Sequence, residues 1–494
     1  ERLIDNADLH IALEDLRNQF ADCFRQHSAP ANLAPIEIRF PVDFSLPSVK
    51  PRRVSPKVAN HLRQQLKELQ ALNIIEPSQS TTVSPVVNVR KPDGTYRLVV
   101  DYRCLNAQLK DIPFACLDVS MVLERLQGHK IYGKFDLKSG FHQLSLHPDS
   151  RDALSFITPF GQFRWTRLPM GLRISPSLFH TAMLDIFSLF ENNVAVYLDD
   201  ILIFADSEEE FLSVVTQVFK RCSELGLVLN AKKCLLGLSS IHALGFFVDQ
   251  AGYTLPDSKR AKLIDIPAPR NVSGLRSFLG LANYFRDFVS HFSDLARPLL
   301  LLTTKGTVFE WNDTHQTAFE AIKQACSTIP LLTFPSKTGF LQLYTDASKY
   351  GLGGMLLETD TPRTVLTYDP RTVRIIGFVS KTFNPQQTRW STIEQECFAF
   401  LHAVRHWDAF LQGVDFRIYT DHRNLSFLAT SSNAKVVRWR LSLQEYQFSV
   451  HHVPGKHNTV ADCLSRLPTD QVSFSSINVV DLPAFSAEVI QSFH

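Results

Sequence analysis

Residues 194–205 read Val194-Ala-Val-Tyr-Leu-Asp-Asp-Ile-Leu-Ile-Phe-Ala205, which sets two adjacent aspartates in the middle of a strand-like apolar run. An isolated ionised carboxylate is costly in apolar surroundings, so such groups are normally paired or bound to a metal ion. Taken alone, Asp199 and Asp200 fit an exposed hairpin turn, where aspartate is common, about as well as they fit a functional site. Evidence from other parts of the chain is needed to choose between an exposed turn and a functional site.

A second apolar strand also delivers a carboxylate. It is Ile131-Tyr-Gly-Lys-Phe-Asp136, and it is followed by Leu137-Lys-Ser-Gly-Phe-His-Gln-Leu144. Two hydrophobic strands that each deliver an acid could build an oxygen-ligand site for two Mg²⁺ ions. A pair of such ions stabilises both the attacking and the leaving oxygen in phosphoryl transfer. The two strands together therefore favour a metal-dependent site over a simple turn.

A further set of acids lies at the ends of predicted elements in the C-terminal third of the chain: Asp346, Glu396, Asp421 and Asp462. Asp346 and Asp421 each follow a β-prone run. Ser391 and Glu394 form a capping-box signature, which places Glu396 in the first turns of a helix. Single acids at such positions are usually solvated or capping, so it is their number and order that suggest a second site.

Length and composition are those of a globular protein with several domains: 494 residues, 45% hydrophobic and 20% charged. The net charge of +2 neither requires nor excludes a nucleic-acid partner, so any such binding must come from local basic clusters. The eight cysteines form no CxxC pair and no zinc-ligand spacing, which argues against structural zinc. No apolar run approaches the roughly 20 residues of a membrane-spanning helix.

Local patterns predict most helices and strands. The expected helices are Leu9–Phe24, Pro56–Asn73, Ser177–Phe190, Glu208–Leu225 and Ser391–Leu411. The segment Ser258–Leu302 is expected to form helices separated by Pro267, Pro269 and Gly274. The β-rich runs Val83–Arg90 and Tyr96–Val100 flank Pro92-Asp93-Gly94 and predict a hairpin. Further strands are expected at Leu341–Tyr344, Gly377–Ser380 and Phe416–Tyr419, and Glu358–Ile375 is expected to be an exposed loop.

The N-terminal half resembles the reverse transcriptases. Segments similar to their palm motifs follow one another in the family's order: Asp136 with Phe141, Leu168-Pro-Met-Gly-Leu172, and Tyr197-Leu-Asp-Asp200. Tyr96-Arg-Leu-Val-Val-Asp-Tyr-Arg-Cys-Leu-Asn106 looks like the preceding fingers motif. Asn230-Ala-Lys-Lys-Cys234 and Leu244-Gly245 resemble the segment leading to the primer grip. Leu275-Arg-Ser-Phe-Leu-Gly-Leu-Ala-Asn-Tyr-Phe-Arg-Asp-Phe288 is similar to a thumb signature of gypsy-type LTR retrotransposons (Metaviridae).

The C-terminal acids resemble the Asp-Glu-Asp-Asp set of RNase H in their order along the chain. The resemblance implies that two Mg²⁺ ions, or Mn²⁺ in their place, bind in each of two sites. In the first site the metal-binding and catalytic residues would be Asp136 and Asp199, with Asp200 more peripheral. In the second site they would be Asp346, Glu396, Asp421 and Asp462.

The same resemblance implies substrate-binding roles. Lys91 and Arg97 would meet the triphosphate, since arginine offers a bidentate fork for phosphate oxygens, although hairpin charges are often merely solvated. Phe141 would pack beside the nucleotide sugar and exclude a 2′-hydroxyl, although a core position is the commoner fate of a phenylalanine. Met170 and Gly171 would line the template–nucleotide pocket, where glycine permits close backbone approach.

The implied fold class is α+β: a right-hand polymerase of fingers, palm and thumb, followed by an RNase H-like α/β domain. The expected divisions are residues 1–250 (N-terminal extension, fingers and palm), 251–338 (thumb and linker), 339–468 (RNase H domain) and 469–494 (tail). The implied function is RNA- and DNA-directed DNA synthesis with cleavage of the RNA strand of the hybrid. The implied partners are an RNA template, a DNA primer, an RNA–DNA hybrid, deoxynucleoside triphosphates and a second copy of the chain on substrate. The implied location is a cytoplasmic virus-like particle or the nucleus, away from membranes.

Two other functions are weighed against this one. An RNA-dependent RNA polymerase shares the palm acids, but Phe141 and an attached RNase H unit disfavour it. A domesticated copy that binds nucleic acid without catalysis would be expected to have lost some acids. All seven positions are filled here: Asp136, Asp199, Asp200, Asp346, Glu396, Asp421 and Asp462.

Overall fold

The computed structural model describes residues 2–26, 29–41, 44–45, 49–90, 96–110, 119–361, 372–420 and 433–452. The chain divides into two compact units. The first comprises residues 1–244 and 248–250, and the second comprises residues 245–247 and 251–494.

The first unit mixes helices and strands. Its helices are α1 (Ala7–Gln19), α2 (Pro56–Ala71), α3 (Arg103–Asn106), α4 (Val119–Leu126), α5 (Pro148–Arg151), α6 (Ser175–Phe187) and α7 (Glu208–Leu225). Its strands are β1 (Arg2–Leu3), β2 (Ile75–Pro77), β3 (Ser84–Arg90), β4 (Tyr96–Val100), β5 (Ile131–Asp136), β6 (Phe156–Thr158), β7 (Gly161–Trp165), β8 (Val194–Tyr197), β9 (Asp200–Ala205) and β10 (Leu235–Ala243). A further strand, β11 (Phe246–Asp249), lies where the chain passes into the second unit.

Helix α7 illustrates how local signals fix an element, and it confirms the expected bounds. Ser207 caps its start by accepting a hydrogen bond from the Glu210 N–H. Three glutamates in the first turn suit the positive end of the helix dipole. Gly226 ends the helix in the left-handed conformation, at φ +67°, where glycine has no steric penalty.

The central sheet of the first unit has the order β10-β5-β9-β8, and β1 also pairs with β10. Side chains alternate across it, because successive residues of a strand point to opposite faces. Phe135 of β5 and Ile203 of β9 are fully buried in the core that also contains α6 and α7. The ring of Phe135 meets that of Phe219 of α7 edge-on at 5.3 Å. The even-numbered residues of β5 and β9, including Asp136 and Asp200, therefore lie on the opposite face.

A second sheet of this unit has the order β2-β7-β6-β3-β4. It contains the expected hairpin, since β3 and β4 pair antiparallel from Val86 opposite Val100 to Arg90 opposite Tyr96. The expected turn at Pro92-Asp93-Gly94 lies outside the described residues.

The second unit begins with a group of helices and continues with a sheet. Its helices are α8 (Asp257–Ile264), α9 (Val272–Ala282), α10 (Phe292–Leu301), α11 (Asp313–Ser327), α12 (Thr392–His406), α13 (Asp408–Leu411) and α14 (Ala434–Ser442). Its strands are β12 (Gly252–Thr254), β13 (Phe340–Ala347), β14 (Gly351–Thr359), β15 (Val373–Thr382), β16 (Asp415–Thr420) and β17 (Gln447–His452). The sheet order is β15-β14-β13-β16-β17, with β13 parallel to β16 and β16 parallel to β17.

Both faces of this sheet are covered. Leu343 and Leu356 pack with Phe400 and Val404 of α12 on one face. Tyr344 and its neighbours pack with residues of α9, α10 and α11 on the other. None of the helices in the described part of the chain is both long and apolar enough to cross a membrane.

Three expectations about elements are wrong. The expected loop Glu358–Ile375 is strand at its two ends, while residues 362–371 between them lie outside the described part of the chain. Glu358 belongs to β14 and is fully buried, with its carboxylate 2.7 Å from Arg374 Nε. The proposed helix Ser391–Leu411 is interrupted at Trp407, whose indole packs against Gly377 of β15. Gly274 lies inside α9 instead of separating two helices.

Candidate active sites

The two palm aspartates lie at a very tight hairpin. Tyr197 at the end of β8 is paired with Asp200 at the start of β9, so only Leu198 and Asp199 connect the strands. Leu198 has φ +51°, in the left-handed region. This conformation costs a residue with a side chain about 1–2 kcal/mol, so the surrounding structure must hold the turn in place.

The third acid, Asp136, lies directly across the sheet from Asp200. Directly opposed side chains of neighbouring strands lie about 5 Å apart, and like charges at such positions repel. Two lysines offset this repulsion. Lys134 Nζ lies 2.6 Å from Asp200 Oδ1, and Lys233 Nζ lies 3.3 Å from Asp136 Oδ2.

Asp199 experiences the remaining excess of negative charge. Burial raises the pKa of its carboxyl group, and the neighbouring carboxylates of Asp200 and Asp136 raise it further, against a smaller opposing effect of Lys233. Three carboxylates thus face two ammonium groups. Among the described residues no three His, Cys, Asp or Glu side chains are arranged closely enough to hold a metal ion as they stand. By donor chemistry and charge, however, Asp136, Asp199 and Asp200 fit a hard divalent cation such as Mg²⁺.

Phe141 follows β5 by five residues and lies in a short 3₁₀ turn. Its ring is half-buried and stacks on Phe179 of α6, with 4.7 Å between ring centroids and 25° between planes. Gly140 makes this approach possible, because a Cβ there would lie 2.9 Å from the Phe179 ring. The Phe179 ring therefore supports one face of the Phe141 ring, and part of the Phe141 ring remains accessible.

The structure brings three of the four other predicted substrate-binding residues together. The exposed guanidinium of Arg97, on β4, contacts the sulfur of Met170. Gly171 follows with φ +94°, and its carbonyl accepts a hydrogen bond from Asn106 Nδ2 at 3.0 Å. Lys91, the fourth, lies outside the described residues.

In the second unit, Asp346 and Glu396 are held near each other by one backbone contact. Asp346 is half-buried near the end of β13, and Glu396 is almost fully buried in α12. Glu396 Oε1 accepts a hydrogen bond from the N–H of Ala347, the residue after Asp346, at 3.3 Å. The predicted capping box is confirmed, since Ser391 and Glu394 bond each other's backbone N–H groups at the start of α12.

The other two acids of this set cannot be placed. β16 ends at Thr420, one residue before Asp421, and both Asp421 and Asp462 lie outside the described residues. The neighbouring strands β13 and β16 are in register there, because Tyr344 pairs with Tyr419 and their rings stack at 4.7 Å.

Three side chains near the acids were not singled out from the sequence. Lys134 could have been, because it precedes Asp136 by two residues and so shares its face of β5. His180 and His291 carry no such signal. His180 accepts a hydrogen bond from the Leu198 N–H, and the ring of His291 lies over Gly353, the cross-strand partner of Asp346.

Two protein-family models match the chain. Residues 89–248 match "Reverse transcriptase (RNA-dependent DNA polymerase)", and residues 337–446 match "RNase H-like domain found in reverse transcriptase". The first range contains Asp136, Asp199 and Asp200, and the second contains Asp346, Glu396 and Asp421. Asp462 lies beyond the second range.

Known proteins resemble the chain over most of its length. It is 33% identical over 481 residues to the retrovirus-related Pol polyprotein from transposon 412 of Drosophila melanogaster. That alignment covers 95% of this chain but only 38% of the polyprotein. Among solved structures, a foamy viral protease–reverse transcriptase in complex with double-stranded DNA has a TM-score of 0.80 at 23% identity, covering 91% of this chain and 80% of that one. The foamy viral enzyme with an RNA/DNA hybrid has a TM-score of 0.76 at 22% identity, covering 97% and 64%.

Proposed function

The chain belongs to the reverse transcriptase–RNase H family of LTR retrotransposons, and we propose that it copies RNA and DNA templates into DNA and cleaves the RNA strand of the resulting hybrid. The observation that carries this proposal is the opposition of Asp136 and Asp200 on one face of the palm sheet, with Asp199 in the turn beside them. Three acids from two strands are crowded there at the cost of mutual repulsion. Such crowding is expected where the partner is a cation that arrives with the substrate.

In the proposed polymerase site, Asp136 and Asp199 would hold the metal ions, and Asp200 would have a more peripheral role. Two Mg²⁺ ions, or Mn²⁺ in their place, supply when bound the positive charge that activates the primer 3′-hydroxyl and neutralises the triphosphate. Arg97, together with Lys91, binds the triphosphate oxygens, for which a guanidinium has matching geometry. Met170 and Gly171 line the nucleotide pocket, and Phe141 lies beside the sugar.

In the proposed RNase H site, the residues that would hold two further metal ions are Asp346, Glu396, Asp421 and Asp462. The bond from Ala347 N–H fixes one oxygen of Glu396 next to the strand that carries Asp346. Glu396 is thereby held in place before substrate arrives, which is what a hydrolytic site requires of its ligands.

The proposed partners are the RNA template, the DNA primer, their hybrid and deoxynucleoside triphosphates. The foamy viral relatives of this fold, solved with double-stranded DNA and with an RNA/DNA hybrid, support nucleic-acid duplexes as substrates. By analogy with the family, the proposal also includes dimerisation of the chain on its substrate. It further includes residence in a cytoplasmic virus-like particle or in the nucleus.

The test is a pair of substitutions, one in each site. Asp199→Asn removes a metal-ligand charge and is expected to abolish primer extension while hybrid cleavage persists. Glu396→Gln is expected to abolish cleavage and leave extension intact. Each loss should exceed the roughly 100-fold that removal of a metal's outer-shell partner typically costs. Both activities are measured on one labelled hybrid with Mg²⁺, by primer length and by RNA fragment length.

Matched controls are Asp185→Asn and Glu445→Gln, which make the same chemical changes at exposed positions of the same units. Both are expected to keep both activities. Near wild-type extension by Asp199→Asn would refute the palm assignment. Loss of extension in a folded Glu396→Gln protein would refute the separation of the two sites.

A further inference from the structure

A fully buried histidine contacts the turn that carries Asp199. His180 lies in α6, and its side chain has no exposed surface. Its Nδ1 accepts a hydrogen bond from the backbone N–H of Leu198 at 3.1 Å. The two residues are 18 positions apart, so the bond joins separate elements.

This hydrogen bond is donated by Leu198, the hairpin residue whose backbone conformation is the least favourable. Leu198 has φ +51°, a conformation that residues with a side chain rarely adopt, and it forms the connection from β8 to β9 together with Asp199. A change in the Leu198 peptide would rotate the next residue, which is Asp199. Because a strained conformation persists only where its surroundings hold it, the partner of the Leu198 N–H has direct influence on the position of the Asp199 carboxylate.

The chemistry of the bond defines the state of the ring. A backbone N–H can only donate, so Nδ1 must be unprotonated and the ring proton must be on Nε2. Burial lowers the pKa of His180, which keeps the ring neutral as this bond requires. The neutral ring of His180 can therefore accept a hydrogen bond from the Leu198 N–H in the folded protein.

The neighbouring residue of α6 performs a similar task. Phe179 stacks on Phe141, and His180 holds Leu198, so one turn of α6 contacts both the nucleotide-side aromatic and the acid-bearing hairpin. Phe179 and Met183 anchor this turn in the core. A rigid helix anchored in this way can set the distance between the two parts of the site.

We propose that His180 is a positioning residue of the polymerase site, which holds the Leu198 N–H and thereby fixes the turn that presents Asp199. This inference rests on the proposed polymerase function. It assigns His180 no contact with substrate or metal.

The test compares two substitutions of His180. His180→Asn keeps an acceptor, because the amide Oδ1 of asparagine can occupy the position of Nδ1, whereas His180→Leu removes the acceptor and keeps a similar volume. We expect His180→Leu to lower kcat for primer extension about 10- to 100-fold, as expected of a small misplacement of a reacting group. The KM for the nucleotide should change little, since Arg97 and Phe141 are untouched. His180→Asn should recover most of the lost kcat.

Two further measurements separate this role from general destabilisation and from failure of the proposed function. RNase H cleavage by the same chain should be unchanged in both variants. Amide hydrogen exchange at Leu198 reports the bond without any polymerase activity. It should be roughly 5- to 100-fold faster in His180→Leu, because a buried donor has lost its partner, and near wild type in His180→Asn.

The outcomes are distinct. If wild-type protein fails to extend primers, the proposed function is refuted, and hydrogen exchange still reports whether His180 holds the turn. If extension by wild type is normal and His180→Leu keeps kcat within about twofold, a change too small for a misplaced reacting group, the positioning role is refuted. Equal losses in the leucine and asparagine variants would also refute it, because the acceptor would then be irrelevant.

Discussion

At the polymerase site, the two lysines restrain the acids to different degrees. Lys134 and Asp200 are both mostly buried on the sheet, so their ion pair is held in place. Lys233 is 64% exposed, and an exposed pair of this kind contributes only about 0–1 kcal/mol. The ion pair between Lys233 and Asp136 can therefore break at little cost in free energy, whereas the ion pair between Lys134 and Asp200 is expected to persist. This difference leaves the Asp136 carboxylate more available to a cation than the Asp200 carboxylate, which is consistent with the proposed peripheral role of Asp200.

Phe141 is the residue proposed to distinguish a DNA polymerase from an RNA polymerase with the same palm acids. Because Phe179 stacks beneath its ring, Phe141 cannot easily move away from a bulkier sugar. Overpacking typically costs about 1–3 kcal/mol, which corresponds to roughly 5- to 150-fold discrimination against a 2′-hydroxyl. Phe141→Val should raise ribonucleotide incorporation far more than it lowers deoxyribonucleotide incorporation. The measurement is the ratio of kcat/KM for the two nucleotide types.

Phe190→Val is the matched control, since Phe190 is also a half-buried aromatic packed against the same core. It should leave the ratio unchanged. Equal use of both nucleotides by the wild type, or an unchanged ratio in Phe141→Val, would make Phe141 a core aromatic. The alternative function, an RNA-dependent RNA polymerase, would then have to be considered again.

At the scale of elements, α12 carries Glu396, and the start of that helix is unusually well bonded. Ser391 and Glu394 cap it reciprocally, and Glu394 also binds Asn433 and Lys435 at the start of α14. Burial alone would raise the pKa of Glu394, but the hydrogen bonds from Ser391, Asn433 and Lys435 outweigh it and lower that pKa. The first turn of α12 therefore links two helices of the second unit through one carboxylate.

Ser391→Ala tests this link. Loss of an N-cap side chain typically costs about 1 kcal/mol, and here it removes one of the bonds that orient the turn before Glu396. We expect the free energy of unfolding to fall by about that amount, and RNase H cleavage to decline while primer extension is unaffected. Chemical denaturation and the two activity assays provide the measurements. Ser442→Ala, at a half-buried position at the end of α14, is the control, because it also removes a serine hydroxyl from a helix of the second unit. An equal effect of both variants would count against the link.

At the scale of the whole molecule, the proposed function requires the chain to bind a duplex of any sequence that has just been copied. The net charge is only +2, so affinity has to come from local basic groups and not from an overall field. Contacts to phosphates supply affinity without sequence preference. If the chain acts as proposed, its affinity for a hybrid depends on such contacts.

We therefore predict that affinity for an RNA–DNA hybrid falls log-linearly with salt, with a slope of about −0.9 per neutralised phosphate if B-DNA behaviour applies. Fluorescence anisotropy with hybrids of several sequences, over a range of salt concentrations, measures both the slope and the sequence dependence. The slopes should agree between sequences. An affinity that ignores salt, or that differs strongly between hybrids of equal length, would contradict a general duplex-binding channel.

Features that depend on short stretches of the chain can be predicted from local sequence patterns. Helix α7 has the predicted bounds because its cap, its acidic first turn and its terminal glycine are all local signals. The hairpin of β3 and β4 and the capping box of α12 follow for the same reason. Asp136, Asp199 and Asp200 could be proposed as site residues because they stand beside apolar, strand-like runs, whereas the set Asp346, Glu396, Asp421 and Asp462 was implied by the order of acids in a known family.

Which of these residues contact one another depends on tertiary packing and could not be predicted from local patterns. Strand β14 begins Gly351-Leu-Gly-Gly, which has little strand propensity, and it is a strand because β13 and β15 pair with it on both sides. Glu358 is buried because Arg374 lies opposite it, and Trp407 ends α12 because its ring packs on Gly377. The bond from Leu198 to His180 likewise spans 18 residues. Such contacts depend on strand register and on packing between distant segments, and neither is encoded in the local pattern around any one residue.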